Sequence, residues 1–251
     1  SEKRYNVVKR PKGDAIIMAG VYPDDRWGTD PASHTFDMAI DWLKDHAEGE
    51  DPFFLRISPI WPHTPVSTPS PWHKLYDPGE IPLEIKDTDM YANRSAHDKR
   101  LSEEQGGMQM SNETWDWVHR CYYGLCSYVD HQVGRVLFQL EEMGLMDNTI
   151  IVYSSDHGKS MGEYGACEKG TFDREVWRVP LIIRIPDDPI PRNNHSLCST
   201  LDLGKTLLDL CGIEQESGME GRNLFTDPVP EATFAIVNMG GPRDVANPHK
   251  Q

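Results

Sequence analysis

Asp156, His157 and Gly158 stand at the end of an apolar run with the composition of a buried strand, TIIVYSS at 149–155. Adjacent side chains of a strand point to opposite faces, so neighbours converge on one ion only where the strand ends and the backbone turns. Gly158 permits such a turn. Carboxylate and imidazole groups bind Ca²⁺, Mg²⁺, Mn²⁺ or Zn²⁺. The residues therefore predict a pair of metal ligands, with a turn aspartate beside a surface histidine as the alternative.

Two further residues have side chains that can bind an anion. His63 stands in the stretch WPHTP after a second apolar run, and the flanking prolines restrict the backbone around it. A rigidly held histidine suits a general acid or an anion donor, although a structural turn explains the stretch equally. Lys169 precedes Gly170 in a loop, where it presents a point charge to a sulfate or phosphate oxygen or is an ordinary surface lysine.

Trp61, Trp72 and His73 are candidates for substrate binding. They lie in or near the segment that carries His63. Their rings can stack on a sugar or an aryl group, or can pack within the loop.

Elements that position these residues alternate along the chain. Strands are predicted at 52–60, 149–155 and 179–186, and helices at 35–48, 127–143 and 201–212, with Thr35 and Asp202 as caps of the first and last helix. A short strand within 15–20, a last strand within 232–241 and an irregular excursion over 61–112 complete the pattern. Such alternation predicts an α/β fold with a mostly parallel sheet flanked by helices, in which ligands bind beyond the carboxyl ends of the strands.

Composition excludes some classes of function. The 251 residues carry a net charge of −15, which argues against a nucleic-acid surface because such a surface is basic. No apolar run approaches the ~20 residues of a membrane span, and no signal peptide opens this sequence. The five cysteines form no C-x-x-C pair and are predicted to be small buried residues.

The order of these motifs resembles the sulfatase family of the alkaline phosphatase-like superfamily. The likeness covers about residues 30–225 and is most specific over 122–186, where YVDHQVGRVL, DNTIIVYSSDHG and KGTFDREVWRVPLII follow one another. It implies that Asp156 and His157 are metal ligands and that His63 and Lys169 contact the sulfate near the leaving group. It also implies a divalent metal, usually Ca²⁺ with Mg²⁺ or Mn²⁺ as alternatives, and a sulfated small molecule or glycan as substrate. The same resemblance favours a periplasmic or secreted location.

One departure from the family pattern is large. The family's nucleophile is a formylglycine made from the Cys or Ser of a C/S-x-P/A-x-R motif, and this chain has no such motif. We do not assign to Asp24 and Asp25 the role of the paired aspartates that open family members, since the sequence does not predict a buried strand directly before them. We therefore expect a central or C-terminal portion of a longer sulfatase, incomplete at the N-terminus and inactive alone. Residues 1–225 would form the partial α/β domain, and 226–251 would begin a truncated C-terminal subdomain.

Two other functions fit the same residues. A phosphonate monoester or phosphodiester hydrolase of the same superfamily shares the Asp-His pair, the histidine and the lysine. A non-catalytic binder of sulfated glycans would explain the missing nucleophile, but such a binder has no need of a leaving-group acid.

Overall fold

The computed structural model describes residues 5–9, 17–22, 30–47, 49, 51–83, 92–186, 188 and 193–234. The strands are β1 Tyr5–Lys9, β2 Ile17–Tyr22, β3 Val66–Pro69, β4 Ile151–Ser154 and β5 Leu181–Arg184. The α-helices are α1 Pro31–His46, α2 Ala96–Gln105, α3 Asn112–Glu142, α4 Arg174–Trp177 and α5 Leu201–Leu210. Single turns of 3-10 helix occupy Trp72–Lys74, Gly107–Gln109, Met146–Asn148 and Glu163–Gly165.

The chain divides into two units. Unit 1 comprises Ser1–Ile151, Lys159–Lys169 and Arg184–Asp187, and unit 2 comprises Val152–Gly158, Gly170–Ile183 and Asp188–Gln251. Strands β1, β2 and β3 form a sheet in unit 1, in which β1 pairs antiparallel with β2 and β2 pairs parallel with β3. Strands β4 and β5 pair with each other in a second sheet.

Unit 1 has its core around the 31-residue helix α3. Trp115, Leu125 and Tyr128 are fully buried along one face of that helix, and they belong to the same cluster as Phe36 and Leu43 of α1. Gly124 permits a close approach on this face, because a Cβ there would lie 2.6 Å from the carbonyl oxygen of Trp72. The helix therefore carries both the apolar core and the contact with the segment that follows His63.

Helix α1 is capped by Asp30 and not by Thr35. The Asp30 carboxylate accepts from the backbone N–H groups of Ala32 and Ser33, and the Tyr128 hydroxyl also donates to it. Thr35 lies inside the helix, where its hydroxyl donates to the carbonyl of Pro31 at 2.9 Å. The predicted cap was wrong because Pro31 fits the first turn and moves the start upstream.

Helix α5 also differs in its cap. It begins after Thr200, whose side chain makes no capping hydrogen bond. The Asp202 carboxylate instead accepts from the backbone N–H of Ser199 at 2.9 Å and of Arg222 at 3.0 Å. Asp202 thus links the helix to the following segment of unit 2.

Two other predicted segments and the start of one helix turned out differently, and one predicted strand is not tested. Residues 52–60 form no strand; their side chains alternate between half-buried and exposed, and Phe54 is 83% exposed. The predicted excursion at 61–112 contains β3 and α2, and α3 begins at Asn112 instead of near residue 127. The strand predicted within 232–241 extends outside the described residues.

The cysteines are mixed in their exposure. All five are free, and Cys121 and Cys167 are buried as predicted. Cys126 is half-buried, whereas Cys198 and Cys211 are exposed, so the prediction was wrong for the last two. No helix in the described part of the chain is long and apolar enough to cross a membrane.

Candidate functional site

His63 and Lys169 lie together in unit 1. Lys169 Nζ is 3.0 Å from His63 Nε2, although 106 positions separate the two residues in the sequence. The other ring nitrogen, Nδ1, is 2.6 Å from the carbonyl oxygen of Thr64. A carbonyl only accepts, so Nδ1 carries a proton and Nε2 is left to accept from the Lys169 ammonium. The contact thus fixes both the tautomer and the direction of the ring.

The segment around His63 is held by its neighbours. The His63 backbone N–H donates to the carbonyl of Ile60 at 3.0 Å, which closes a turn. Trp61 inside that turn is 7% exposed and lies near the rings of Tyr22 and Tyr128. A buried anchor two residues before an exposed histidine holds the imidazole at the surface of unit 1.

Lys169 ends a loop that is also fixed at several points. The backbone N–H of Ser160 donates to the carbonyl of Glu168 at 3.0 Å. The N–H of the buried Cys167 donates to the side-chain oxygen of Gln105 at 2.6 Å. Lys169 itself is exposed, so its ammonium lies at the surface beside His63.

This pair favours an anion on electrostatic grounds. A lysine ammonium has three donors, and one of them is used by His63 Nε2. If a proton is added to Nε2, two cationic groups lie within hydrogen-bond distance and repel each other. A sulfate or phosphonate oxygen between them accepts from both and removes the repulsion.

Asp156 and His157 lie together in unit 2, after β4. The His157 Nε2 is 3.5 Å from Asp156 Oδ2, and the His157 backbone N–H donates to Asp156 Oδ1 at 2.9 Å. His157 Nδ1 is 2.9 Å from the carbonyl of Gly158, so this nitrogen carries the proton and Nε2 keeps its lone pair. A neutral imidazole whose second nitrogen is bonded to a carbonyl is the usual form of a metal-binding histidine.

The ionisation of Asp156 fits the same role. Partial burial alone would raise the pKa of its carboxyl group, but the hydrogen bond from the backbone N–H of His157 and that from the Ser155 hydroxyl, together with the positive charge of His157 whenever its imidazole is protonated, outweigh this and hold the pKa below its ordinary value. The carboxylate form that metal binding requires is therefore favoured.

Gly158 completes this strand end in a way that differs from its predicted role. Its N–H donates to the carbonyl of Val176 at 2.5 Å, and a Cβ at this position would overlap the carbonyl oxygen of Glu175. Glycine is needed here because the backbone of α4 approaches closely. It is not needed for a positive φ, which residue 158 does not adopt.

The two side chains fit a divalent ion as a partial ligand set. One carboxylate oxygen and one imidazole nitrogen lie on the same side of the turn, which suits joint coordination. Within the described ranges, no group of three or more His, Cys, Asp or Glu side chains is placed to hold a metal ion. A complete coordination shell therefore needs ligands beyond this pair.

The structure thus assembles the predicted residues as two pairs, one in each unit. Trp61, Trp72 and His73 take part in packing: Trp61 and His73 are buried, and Trp72 packs edge-on against Tyr128 with ring centroids 5.6 Å apart. Their role in substrate binding stays a prediction.

One charged contact was not predicted. Lys159 Nζ lies 3.5 Å from a carboxylate oxygen of Glu168, and the two side chains are 9% and 14% exposed. The available signal was their position in the sequence, since Lys159 follows Gly158 directly and Glu168 precedes Lys169.

Comparison with known proteins gives a consistent result. The profile of the sulfatase family matches residues 9–213. An arylsulfatase of Clostridium perfringens is 28% identical over 207 residues, which are 79% of this chain and 42% of that protein. A sulfatase of Formosa agariphila is 30% identical over 212 residues, covering 79% of this chain and 41% of that protein.

Solved structures extend the likeness to a second activity. The crystal structure of a phosphonate monoester hydrolase of Agrobacterium radiobacter superposes with a TM-score of 0.73 at 25% identity, covering 89% of this chain and 45% of that one. The predicted α/β fold of the alkaline phosphatase-like type is thereby confirmed. The chain spans less than half the length of the curated relatives described above.

Proposed function

Because the chain belongs to the sulfatase family, we propose that it is part of a hydrolase that cleaves sulfate esters. His63 and Lys169 would bind the sulfate group, and Asp156 and His157 would supply two ligands of a divalent cation, most readily Ca²⁺. The observation that carries the proposal is the 3.0 Å contact between Lys169 Nζ and His63 Nε2.

The pair supports sulfate binding through its donors. A sulfate ester bears negative charge on its oxygens, and that charge grows on the leaving-group oxygen as the S–O bond breaks. Lys169 would donate to the sulfate oxygens throughout the reaction. Since the Thr64 carbonyl engages the Nδ1 proton of His63, Nε2 is the nitrogen that would, once protonated to the imidazolium, give its proton to the departing oxygen and return to the neutral imidazole.

The metal pair supports the same chemistry. Asp156 and His157 would hold the cation through Oδ2 and Nε2, as their 3.5 Å separation permits. When bound, a divalent cation supplies positive charge that stabilises the oxygens of the ester.

A second candidate function is hydrolysis of phosphonate monoesters. It is favoured by the structural likeness to the Agrobacterium radiobacter enzyme, with its TM-score of 0.73. Both anions carry oxygens that accept from Lys169 and His63, so these two residues do not discriminate between them.

The binding of inorganic sulfate and methylphosphonate to the 251-residue chain tests the proposal. We expect sulfate to move the imidazole ¹⁵N resonances of His63 in a saturable way. A tighter response to methylphosphonate would favour the second function. If neither anion moves the His63 resonances, the pair is not an anion site and the proposal fails.

A further inference from the structure

The segment 159–169, which we call the lysine loop, folds back on itself. The N–H of Ser160 donates to the carbonyl of Glu168 at 3.0 Å, and the N–H of Gly162 donates to the carbonyl of Ala166 at 2.9 Å. These two bonds bring the ends of the loop together. Lys169 therefore leaves the loop at a point set by the residues at its base.

Anchors elsewhere in unit 1 hold the tip and the far side of this loop. The Met161 carbonyl lies 2.5 Å from His119 Nε2, and the guanidinium of Arg94 stacks over the ring of Tyr164 at 4.4 Å. The N–H of Cys167 donates to Gln105. The loop is thus attached to α2 and α3. Because Lys169 directly follows Glu168, we infer that the contacts of the base set the direction of the Lys169 side chain.

The side chains at the base form the Lys159–Glu168 ion pair described above. With 9% and 14% of the side chains exposed, this pair is shielded from solvent far better than a surface pair. Glu168 and Lys169 are consecutive, yet Glu168 turns inward to Lys159 and Lys169 turns outward to His63. The alternation places a carboxylate one residue from the ammonium of the anion site.

The negative charge of the Glu168 carboxylate would weaken anion binding nearby unless a cation compensates it. Without the Lys159 charge, Glu168 would attract the Lys169 ammonium away from His63, and it would repel an incoming sulfate. With Lys159 at 3.5 Å, its charge is compensated at the base of the loop.

We propose that the Lys159–Glu168 ion pair is a positioning device for Lys169: Lys159 neutralises Glu168 and so keeps the Lys169 ammonium on His63 and on a bound anion. Lys159 and Glu168 would thus act as positioning residues, through Lys169 and not by binding the anion themselves. The proposal rests on the function proposed above.

The ¹⁵N resonance of His63 Nε2 tests the inference without any anion. Lys169→Met defines the resonance when the lysine contact is lost. We expect Lys159→Met to move the resonance toward that value, whereas Glu168→Gln and the double variant Lys159→Met/Glu168→Gln stay near the wild type.

Lys159→Gln serves as a second variant that keeps a polar group in the part-buried site, and it should behave like Lys159→Met. Lys205→Met, which removes a lysine from a different ion pair, should change nothing.

The pattern separates charge compensation from simple loop closure. If the pair only braces the loop, the double variant will be displaced as far as Lys159→Met, and that result overturns the proposal. A wild-type resonance in both folded Lys159 variants overturns it as well, as does a wild-type resonance in Lys169→Met.

Sulfate titration then distinguishes this proposal from the function on which it rests. We expect Lys159→Met to weaken sulfate binding about threefold to tenfold, and the double variant to recover most of it. If the wild-type chain does not bind sulfate, the proposed anion site is wrong. The His63 Nε2 resonances of the variants then still decide whether Lys159 positions Lys169.

Discussion

Lys169 Nζ and His63 Nε2 lie 3.0 Å apart across 106 positions of sequence. The Thr64 carbonyl keeps the opposite ring nitrogen protonated, so the pair has a defined polarity in the absence of a ligand. When Nε2 is protonated, an anion between the two side chains can accept from both of them, and each segment is held by its own backbone contacts. This preorganisation is the basis on which we propose an anion site at this pair.

Removing the lysine charge should weaken anion binding strongly. Lys169→Met is expected to lower the sulfate affinity of the chain about 10-fold to 100-fold, the range for loss of a hydrogen bond to a charged group. His63→Gln should have a smaller effect because it keeps a neutral donor. Calorimetric titration of the two variants measures the difference, with Lys74→Met, another exposed lysine of unit 1, as the control. Equal affinity for Lys169→Met and the control would contradict the prediction.

The Asp156–His157 pair should bind a divalent cation by itself, but weakly. Two ligands are too few to complete the shell of Ca²⁺, so paramagnetic Mn²⁺ is the more sensitive probe. We expect low concentrations of Mn²⁺ to broaden the resonances of Asp156, His157 and their neighbours first. Asp156→Asn removes one charged ligand and should abolish that selectivity.

Asp147→Asn is the matched control for this experiment, because the Asp147 side chain is 98% exposed and lies in the other unit. Broadening that begins elsewhere, or that survives Asp156→Asn unchanged, would show that these two residues do not form a metal site.

The thiols should separate into two classes of reactivity. Cys198 and Cys211 are exposed and should react with a maleimide within minutes at pH 8. Burial raises the pKa of the Cys121 thiol to about 12 and that of Cys126 to about 11, so both remain protonated at that pH. Because the thiolate is the nucleophile, their labelling should accelerate only as the pH rises above 9. Mass spectrometry of tryptic peptides after timed labelling checks this order, and rapid labelling of Cys121 at pH 8 would refute it.

The chain alone should not turn over a sulfate ester. It has the residues proposed to bind the anion and part of a metal shell, but no C/S-x-P/A-x-R motif from which the family's nucleophile is made. We expect no release of nitrophenol from 4-nitrophenyl sulfate, with or without Ca²⁺, by protein that binds sulfate normally. Release that depends on metal and disappears in Lys169→Met would show that the chain contains a nucleophile of another kind.

Features of the fold and of the candidate site could be predicted from the sequence where they depend on residues close together in the chain. Helical periodicity located α1, α3 and α5, and the end of a strand followed by glycine located Asp156 and His157, because those signals are local. The start of α3 was missed by about 15 residues, because upstream of Val129 the buried face includes aromatic and polar side chains such as Trp115 and His119, which interrupt the aliphatic periodicity.

Other features depend on contacts between segments, and the sequence alone does not specify which segments meet. Residues 52–60 have the apolar composition of a strand but no paired neighbour among the described residues. Apolar composition specifies neither the strand with which a segment pairs nor how deeply it is buried. The contact between His63 and Lys169 depends on the tertiary fold. The sequence shows that Lys159 and Glu168 lie next to candidate site residues, but it does not show that the two side chains pair.

Two glycines of α3 should respond oppositely to alanine. A Cβ at residue 124 would lie 2.6 Å from the Trp72 carbonyl oxygen, and backbone at that distance cannot yield cheaply. Gly124→Ala should therefore destabilise the chain by about 1–3 kcal/mol, the usual range for overpacking. Gly134 has open space around its Cβ position, so Gly134→Ala should stabilise the helix by about 0.5–1 kcal/mol. Urea unfolding followed by circular dichroism measures both changes, and a neutral Gly124→Ala would mean that α3 and the segment after His63 do not pack as closely as the structure places them.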